Sequence, residues 1–145
     1  MSVYLFSMDA SPALSFADDR SAKAVAVLGL EALKSHRPER RDLSYIDLRG
    51  LDVEAGRKAV QTLRRRCSGS SWGVFDPEGT VADPAALFFA GASDYIGPAV
   101  IRAGVDAARF KAALASTRRR DSTAEGEAEA GSLAAAGCAD GAPEG

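Results

Sequence analysis

Histidine and tryptophan each occur once in this chain of 145 residues and cysteine twice, and these shortages remove several kinds of chemistry at the outset. The lone histidine, His36, precedes Arg37-Pro38-Glu39-Arg40-Arg41, which reads as a surface loop. It supports no Ser-His-Asp relay, and no His, Cys or acidic grouping has the short ligand spacing of a zinc site. Cys67 and Cys138 are too few and too far apart for a disulfide framework. The 14 glycines never fall into a glycine-rich phosphate-loop pattern. No apolar run approaches the ~18 residues of a membrane span. The opening Met1-Ser2-Val3-Tyr4-Leu5-Phe6-Ser7-Met8-Asp9 lacks a basic segment and meets Asp9 before an apolar stretch of leader length develops. An excess of one charge is also missing: 18 Lys and Arg stand against 20 Asp and Glu, a formal -2, which is not the basic surplus of a nucleic-acid surface. The expectation is a cytoplasmic protein with no nucleic-acid or membrane partner. Lacking a general acid and base at a defensible spacing, it is not expected to be an enzyme.

What is present is an ordinary globular balance, 46% apolar and 26% charged, in a length that suits one domain. Residues 3–7, 43–48 and 72–75 read as strands, rich in aromatic, β-branched or leucine side chains, and 94–96 as a fourth, shorter strand closed by Gly97-Pro98. Near-continuous apolar strands of this length suit a parallel sheet covered on both faces. The clearest helix is 54–67, with Val60 and Leu63 on one side, Ala55 and Ala59 extending it, and Arg57, Lys58, Gln61, Arg64 and Arg65 on the other. Asp52 is its expected N-cap and Ser68-Gly69-Ser70-Ser71 its stop. Asp83 is expected to cap a short helix that has Pro84 at its first position and runs over 85–90 to Gly91, and a last helix runs from 98 or 99 to 117 with an interruption near Gly104. The segment 10–41 admits two parses: one amphipathic helix over 21–35, or a short helix near 14–20, a strand near 24–28 and a second helix over 29–36. Gly29 inside a helix costs about 1 kcal/mol relative to Ala, which tilts toward the second. The alternation of strands and helices predicts an α/β doubly wound sheet over residues 1–117. From Arg118 onward Ala, Gly and Glu dominate, and 118–145 reads as a disordered tail or linker with too little apolar surface to offset its ordering entropy.

Parallel α/β sheets gather ligand sites at the carboxyl ends of their strands. Asp9 follows the first predicted strand, Asp47 ends the second, Asp76 follows the third and Gly97-Pro98 the fourth. Four positions thus face one crevice, where carboxylates are able to hold Mg²⁺ together with waters and phosphate oxygens. Trp72, opening the third strand, is expected beside that crevice.

Two segments carry a more specific signal, Leu43-Ser44-Tyr45-Ile46-Asp47-Leu48-Arg49-Gly50-Leu51-Asp52 and Gly91-Ala92-Ser93-Asp94-Tyr95-Ile96-Gly97-Pro98. As a pair they resemble the central and last strands of a response-regulator receiver domain. The resemblance implies a flavodoxin-like doubly wound sheet of four or five mostly parallel strands flanked by helices. It places Asp47 at the phospho-acceptor position and Asp9 in the acidic pair that holds Mg²⁺, without the second acid, since Met8 and Ala10 flank it. Where the family has a hydroxyl-bearing switch residue the chain has Asp76, and where it has lysine the chain has Gly97. Tyr95 stands near the aromatic switch position of many receivers, although a tyrosine in this strand is equally suited to packing.

The departures have consequences. Glycine supplies no positive charge to an incoming phosphoryl group. An acid at position 76 repels a group carrying about -1.5 to -2 charges. The leading expectation is a degenerate receiver-like signalling module that acts by protein–protein interaction without phosphorylation. Its face would be the last strand and last helix, with Tyr95, Ile96, Val100, Ile101 and Arg102. A sensor kinase or an output domain is the implied partner, and a homodimer is compatible. The alternatives are an active phospho-acceptor of a two-component phosphorelay, using Asp47 and Mg²⁺ held by Asp9 and Asp47, and a small-molecule or nucleotide binder using the same crevice. Plainer readings stand beside these: Asp47 as a turn residue, Asp9 as an exposed loop acid, Asp76-Pro77-Glu78-Gly79 as a type I turn. Arg64-Arg65-Arg66 and Arg118-Arg119-Arg120 read as cations complementing helix C-termini.

Overall fold

Strands β3 (Leu43–Asp47) and β4 (Ser71–Phe75) are buried at every position, as central strands of a parallel sheet covered on both faces must be. They belong to a computed structural model that describes residues 2–9 and 15–116. With β1 (Val3–Ser7), β2 (Val25–Gly29) and β5 (Asp94–Ile96) they form one five-stranded sheet in the order β2-β1-β3-β4-β5. All four pairings are parallel. The chain is therefore an α/β protein of flavodoxin-like, doubly wound topology.

Alternation along the strands divides the core in two. Val3, Leu5, Leu43, Tyr45, Phe75 and Ile96 face one way, against Val105, Phe110, Ala113 and Leu114. Phe6, Ile46, Trp72 and Val74 face the other, against Leu33, Leu63, Cys67 and Ala92. Register holds the alternation across strands, with Leu5 beside Tyr45, Ile46 beside Val74 and Phe75 beside Ile96. These contacts close into a compact unit over Met1–Leu114.

Helix α1 (Asp19–Lys23) starts where the Asp18 carboxylate accepts the Ser21 N–H at 2.6 Å. Strand β2 and a six-residue 3₁₀ helix, Leu30–Ser35, follow directly. The single helix over 21–35 is thus overturned in favour of the strand-containing parse, because Val25-Ala26-Val27-Leu28 pairs with β1 and Gly29 ends that pairing. The second helix of that parse is 3₁₀ rather than α and ends at Ser35, with His36 already extended two residues ahead of Pro38. The expected helix near 14–20 lies partly outside the described residues, and its described remainder begins only at Asp19.

Helix α2 (Val53–Arg66) has Asp52 as its N-cap, accepting the Ala55 N–H at 2.7 Å, and Arg64-Arg65-Arg66 in its last turn. Helix α3 (Pro84–Phe89) has proline in its first turn, but Asp83 makes no capping hydrogen bond there, contrary to the expectation from sequence. Helix α4 (Pro98–Ala103) stops at Gly104, whose φ of 92° breaks the helical run, and residues 107–116 resume it. Between them Val105 bridges to Phe16. No helix among the described residues is long and apolar enough to cross a membrane. The expected Ala/Gly/Glu-rich tail, 118–145, lies outside the described residues.

Candidate functional site

The strand order reverses at β1: the chain leaves it toward β2, then crosses back to β3 on its other side. The carboxyl ends of β1 and β3 therefore flank the switch point where sheets of this topology bind ligands. Ser7 and Asp47 are the last residues of those two strands. The Ser7 hydroxyl donates to Asp47 Oδ2 at 2.7 Å and accepts the Asp9 N–H at 3.1 Å. Asp47 is fully buried, yet its charge is compensated within two residues. Arg49 Nη2 and Nε donate to Oδ2 at 2.8 and 2.9 Å, Nε also reaches Oδ1 at 3.2 Å, and the Arg49 backbone N–H donates to Oδ1 at 2.9 Å. The Arg49 guanidinium is held above its ordinary range first by its hydrogen bonds to Asp47, then by the charges of Asp47, Asp9 and Glu78, against its partial burial.

A second cluster joins the ends of β4 and β5. Asp76 is buried and accepts four hydrogen bonds: Thr80 N–H and Thr80 hydroxyl on Oδ1, both at 2.9 Å, and on Oδ2 the Val81 N–H at 2.9 Å and the Tyr95 hydroxyl at 2.7 Å. Burial alone would raise its pKa, but the four donors outweigh it and hold the carboxyl below the ordinary range. Burial and the facing carboxylate push Tyr95 up to about 12. Asp76-Pro77-Glu78-Gly79 is a turn closed by Gly79 N–H to Asp76 C=O at 3.2 Å. Gly97 supplies space: a Cβ there would lie 2.8 Å from Tyr95 Cε2 and 3.2 Å from its hydroxyl oxygen. The Tyr95 ring thus occupies the volume in which any side chain at position 97 would begin. Pro98 opens α4 and packs its ring toward Gly79.

The candidate residues from sequence so divide into two groups, Asp9 with Asp47 and Asp76 with Tyr95, Gly97 and Pro98. Asp9 is exposed. Sequence reasoning missed Ser7, Arg49 and Thr80, which determine what the two acids do. The signal was the Asp47-Leu48-Arg49 spacing just past a strand end, where an aspartate captures the N–H two residues on. It also missed Asp94 at the opposite end of β5, where Arg109 Nε and Nη2 grip the carboxylate at 2.9 and 2.6 Å and the Tyr45 hydroxyl donates at 2.7 Å. That triad ties β3 and β5 to the last helix and lies away from the crevice.

Other expectations change. His36 does open a loop, but its side chain is not on the surface: its ring packs edge-on against Tyr4 and Phe6, and Nε2 lies 2.8 Å from Ser44 Oγ. Burial lowers its pKa against the opposing charge of Asp42. Trp72, at the amino end of β4, is buried in the Phe6–Ile46 cluster and is no reporter of a crevice at the carboxyl ends. On the expected partner face Ile96 is buried, and Val100 and Ile101 pack against the core, leaving Arg102 exposed. Adjacent α3 instead exposes Phe89, 92% accessible.

The Mg²⁺ that the receiver resemblance implies does not fit this arrangement. Both Asp47 oxygens already accept from Arg49 or Ser7, so a divalent cation would have to displace a guanidinium. Among the described residues no three His, Cys, Asp or Glu side chains are grouped to hold a metal. No protein-family model matches the chain, and no curated protein does.

Proposed function

We propose that this chain is a receiver-like signalling module that works by binding a partner protein and is not switched by phosphorylation. The observation that carries the reading is the enclosure of Asp47 by Arg49 and Ser7. A phospho-acceptor must offer a carboxylate oxygen to the incoming phosphorus, and here the lone pairs are engaged by a cation from the same loop. Freeing them means separating a pair whose acid is fully buried, a change that costs several kcal/mol when a partner is removed outright. Gly97 offers no replacement cation, and Asp76 adds negative charge to the edge. These features support a regulatory role through surface contacts, in the cytoplasm and without a catalytic step. The docking face is the β5 edge with exposed Arg102 and the neighbouring Phe89 of α3.

The test is a titration with beryllofluoride and Mg²⁺, followed by amide NMR at residues 46–50. Wild type should show no saturable shift up to millimolar reagent while the spectrum stays folded. Saturable shifts that vanish in Asp47→Ala would refute the reading and make the chain an active phospho-acceptor.

A further inference from the structure

A groove of about 620 Å³ runs along α2, from Leu48 at the end of β3 to Arg64, and its lining includes Val60 of α2, Val81 and Leu87 of α3. That size falls within the range of small-molecule sites, about 300–1,000 Å³. Its two ends differ. At the carboxyl edge of the sheet Leu48, Leu51 and Val53, the last 90% exposed, line it beside Asp52, whose carboxylate caps α2, so that end carries no cation. Toward the other end of α2 the rim carries Gln61 and Arg64, with Arg65 beside them. Arg57, midway along, is committed to an ion pair with Glu54, whereas Arg64 makes no ion pair among the described residues.

We infer that this groove binds a free anionic amphiphile, a medium-chain carboxylate, with its hydrocarbon along Leu48, Val60, Val81 and Leu87 and its head group on Arg64. The charge distribution selects this occupant. Among the described residues, uncommitted cations at one end only, Arg64 on the lining and Arg65 beside it, match a single anionic head group on one chain. An acidic helix with charges along its length would need cations at both ends, and Arg57 is already paired. The span from Val53 to Arg64 is about 16 Å of helix, room for an extended chain lying beside it. Gly56 keeps the trough open: a Cβ there meets only Leu48 Cδ2 at 3.6 Å, ordinary contact, and anything longer enters the groove.

The probe is sodium dodecanoate below its micelle concentration, read by amide NMR at Gly56, Val60, Arg64 and Val81, and by Trp72 fluorescence, since Trp72 packs in the same cluster as Val60 and Leu87. Saturable shifts confined to these residues are expected. Arg64→Gln, an exposed change, should bind about tenfold more weakly, the loss of one charge-assisted contact. Gly56→Leu should abolish binding while thermal melting shows an intact fold. Equal binding of dodecyltrimethylammonium, or unchanged affinity in Arg64→Gln, would overturn the head-group assignment and with it the proposal. Association with phosphatidylglycerol vesicles and none with monomeric dodecanoate would overturn it in favour of a membrane surface, and no response to either would overturn it altogether.

Discussion

Replacing Gly97 by alanine adds one methyl group, and the structure says where the force goes. Gly97 has φ -95° and ψ -175°, extended backbone open to any residue, so the substitution brings no backbone strain. The new Cβ would lie 2.8 Å from Tyr95 Cε2 where ordinary contact begins at 3.4 Å, so the ring must retreat by at least 0.6 Å. The ring carries the hydroxyl that donates to Asp76 at 2.7 Å, and a shift of that size pulls it off the carboxylate. A hydrogen bond to a charged acceptor contributes about 1.5–3 kcal/mol, and that is the expected loss in a urea melt. A second readout is independent of stability. Tyr95, held at about 12 by burial and then by Asp76, should titrate closer to the ordinary value of about 10. Because its folded pKa is raised, its contribution is complete below about pH 10 and disappears as pH rises toward about 12, so wild type loses stability across that window and Gly97→Ala loses less. Ring-carbon NMR of the three tyrosines through the alkaline range separates Tyr95 from Tyr4 and Tyr45. Tyr95→Phe should cost about as much, and the double variant little more than either. If Gly97→Ala stays within about 0.5 kcal/mol of wild type and Tyr95 still titrates near 12, the ring does not sit over Gly97 and the reasoning fails.

Gly73→Ala should be worse, about 3–5 kcal/mol in a urea melt, because its Cβ would meet Tyr45 Cε1 at 2.7 Å and the Asp94 carbonyl oxygen at 2.8 Å, whereas Gly69→Ala, with nothing within 4 Å, should be near neutral. Arg49→Met should destabilise by about 3 kcal/mol by leaving Asp47 buried without its cation, and adding Asp47→Asn should recover most of the loss. Burial lowers the His36 pKa below 6.5, so its contribution is present above about pH 6.5 and is lost as pH falls through the folded value; melting temperature should fall with acidification in that range, and His36→Phe should flatten the slope. Phe89→Ser should leave stability within about 0.5 kcal/mol, the side chain being 92% exposed, while weakening any partner that uses the α3–β5 edge in a pull-down.

Most of the scaffold was legible in the sequence for one reason: β3 and β4 are covered on both faces, so their apolar runs are continuous, and α2 carries its cap and stop in adjacent residues. Strand β2 was ambiguous because it is an edge strand, and the same Val25-Ala26-Val27-Leu28 run satisfies a helical period or a strand. The acids at the strand ends were visible, since topology dictates where strand ends converge. Their partners were not. Whether Asp47 faces an open crevice or its own Arg49 depends on a loop conformation, and whether Gly97 is a missing lysine or a seat for Tyr95 depends on a ring two residues away. Asp83 shows the converse, a residue of capping type at a cap position that makes no cap.

The outer side of β2 has a bearing on how the molecule behaves in company. Among the described residues no strand pairs with it there, and Val25–Gly29 contains neither a charged residue nor a proline, the usual deterrents on such a border. Val27 is 37% exposed on it. Five residues is a short template, and brevity is the main safeguard. Crowded solutions should therefore test this border first, so a lysine at Val27 is a sensible change for concentrated samples, improving shelf life without touching either acid cluster.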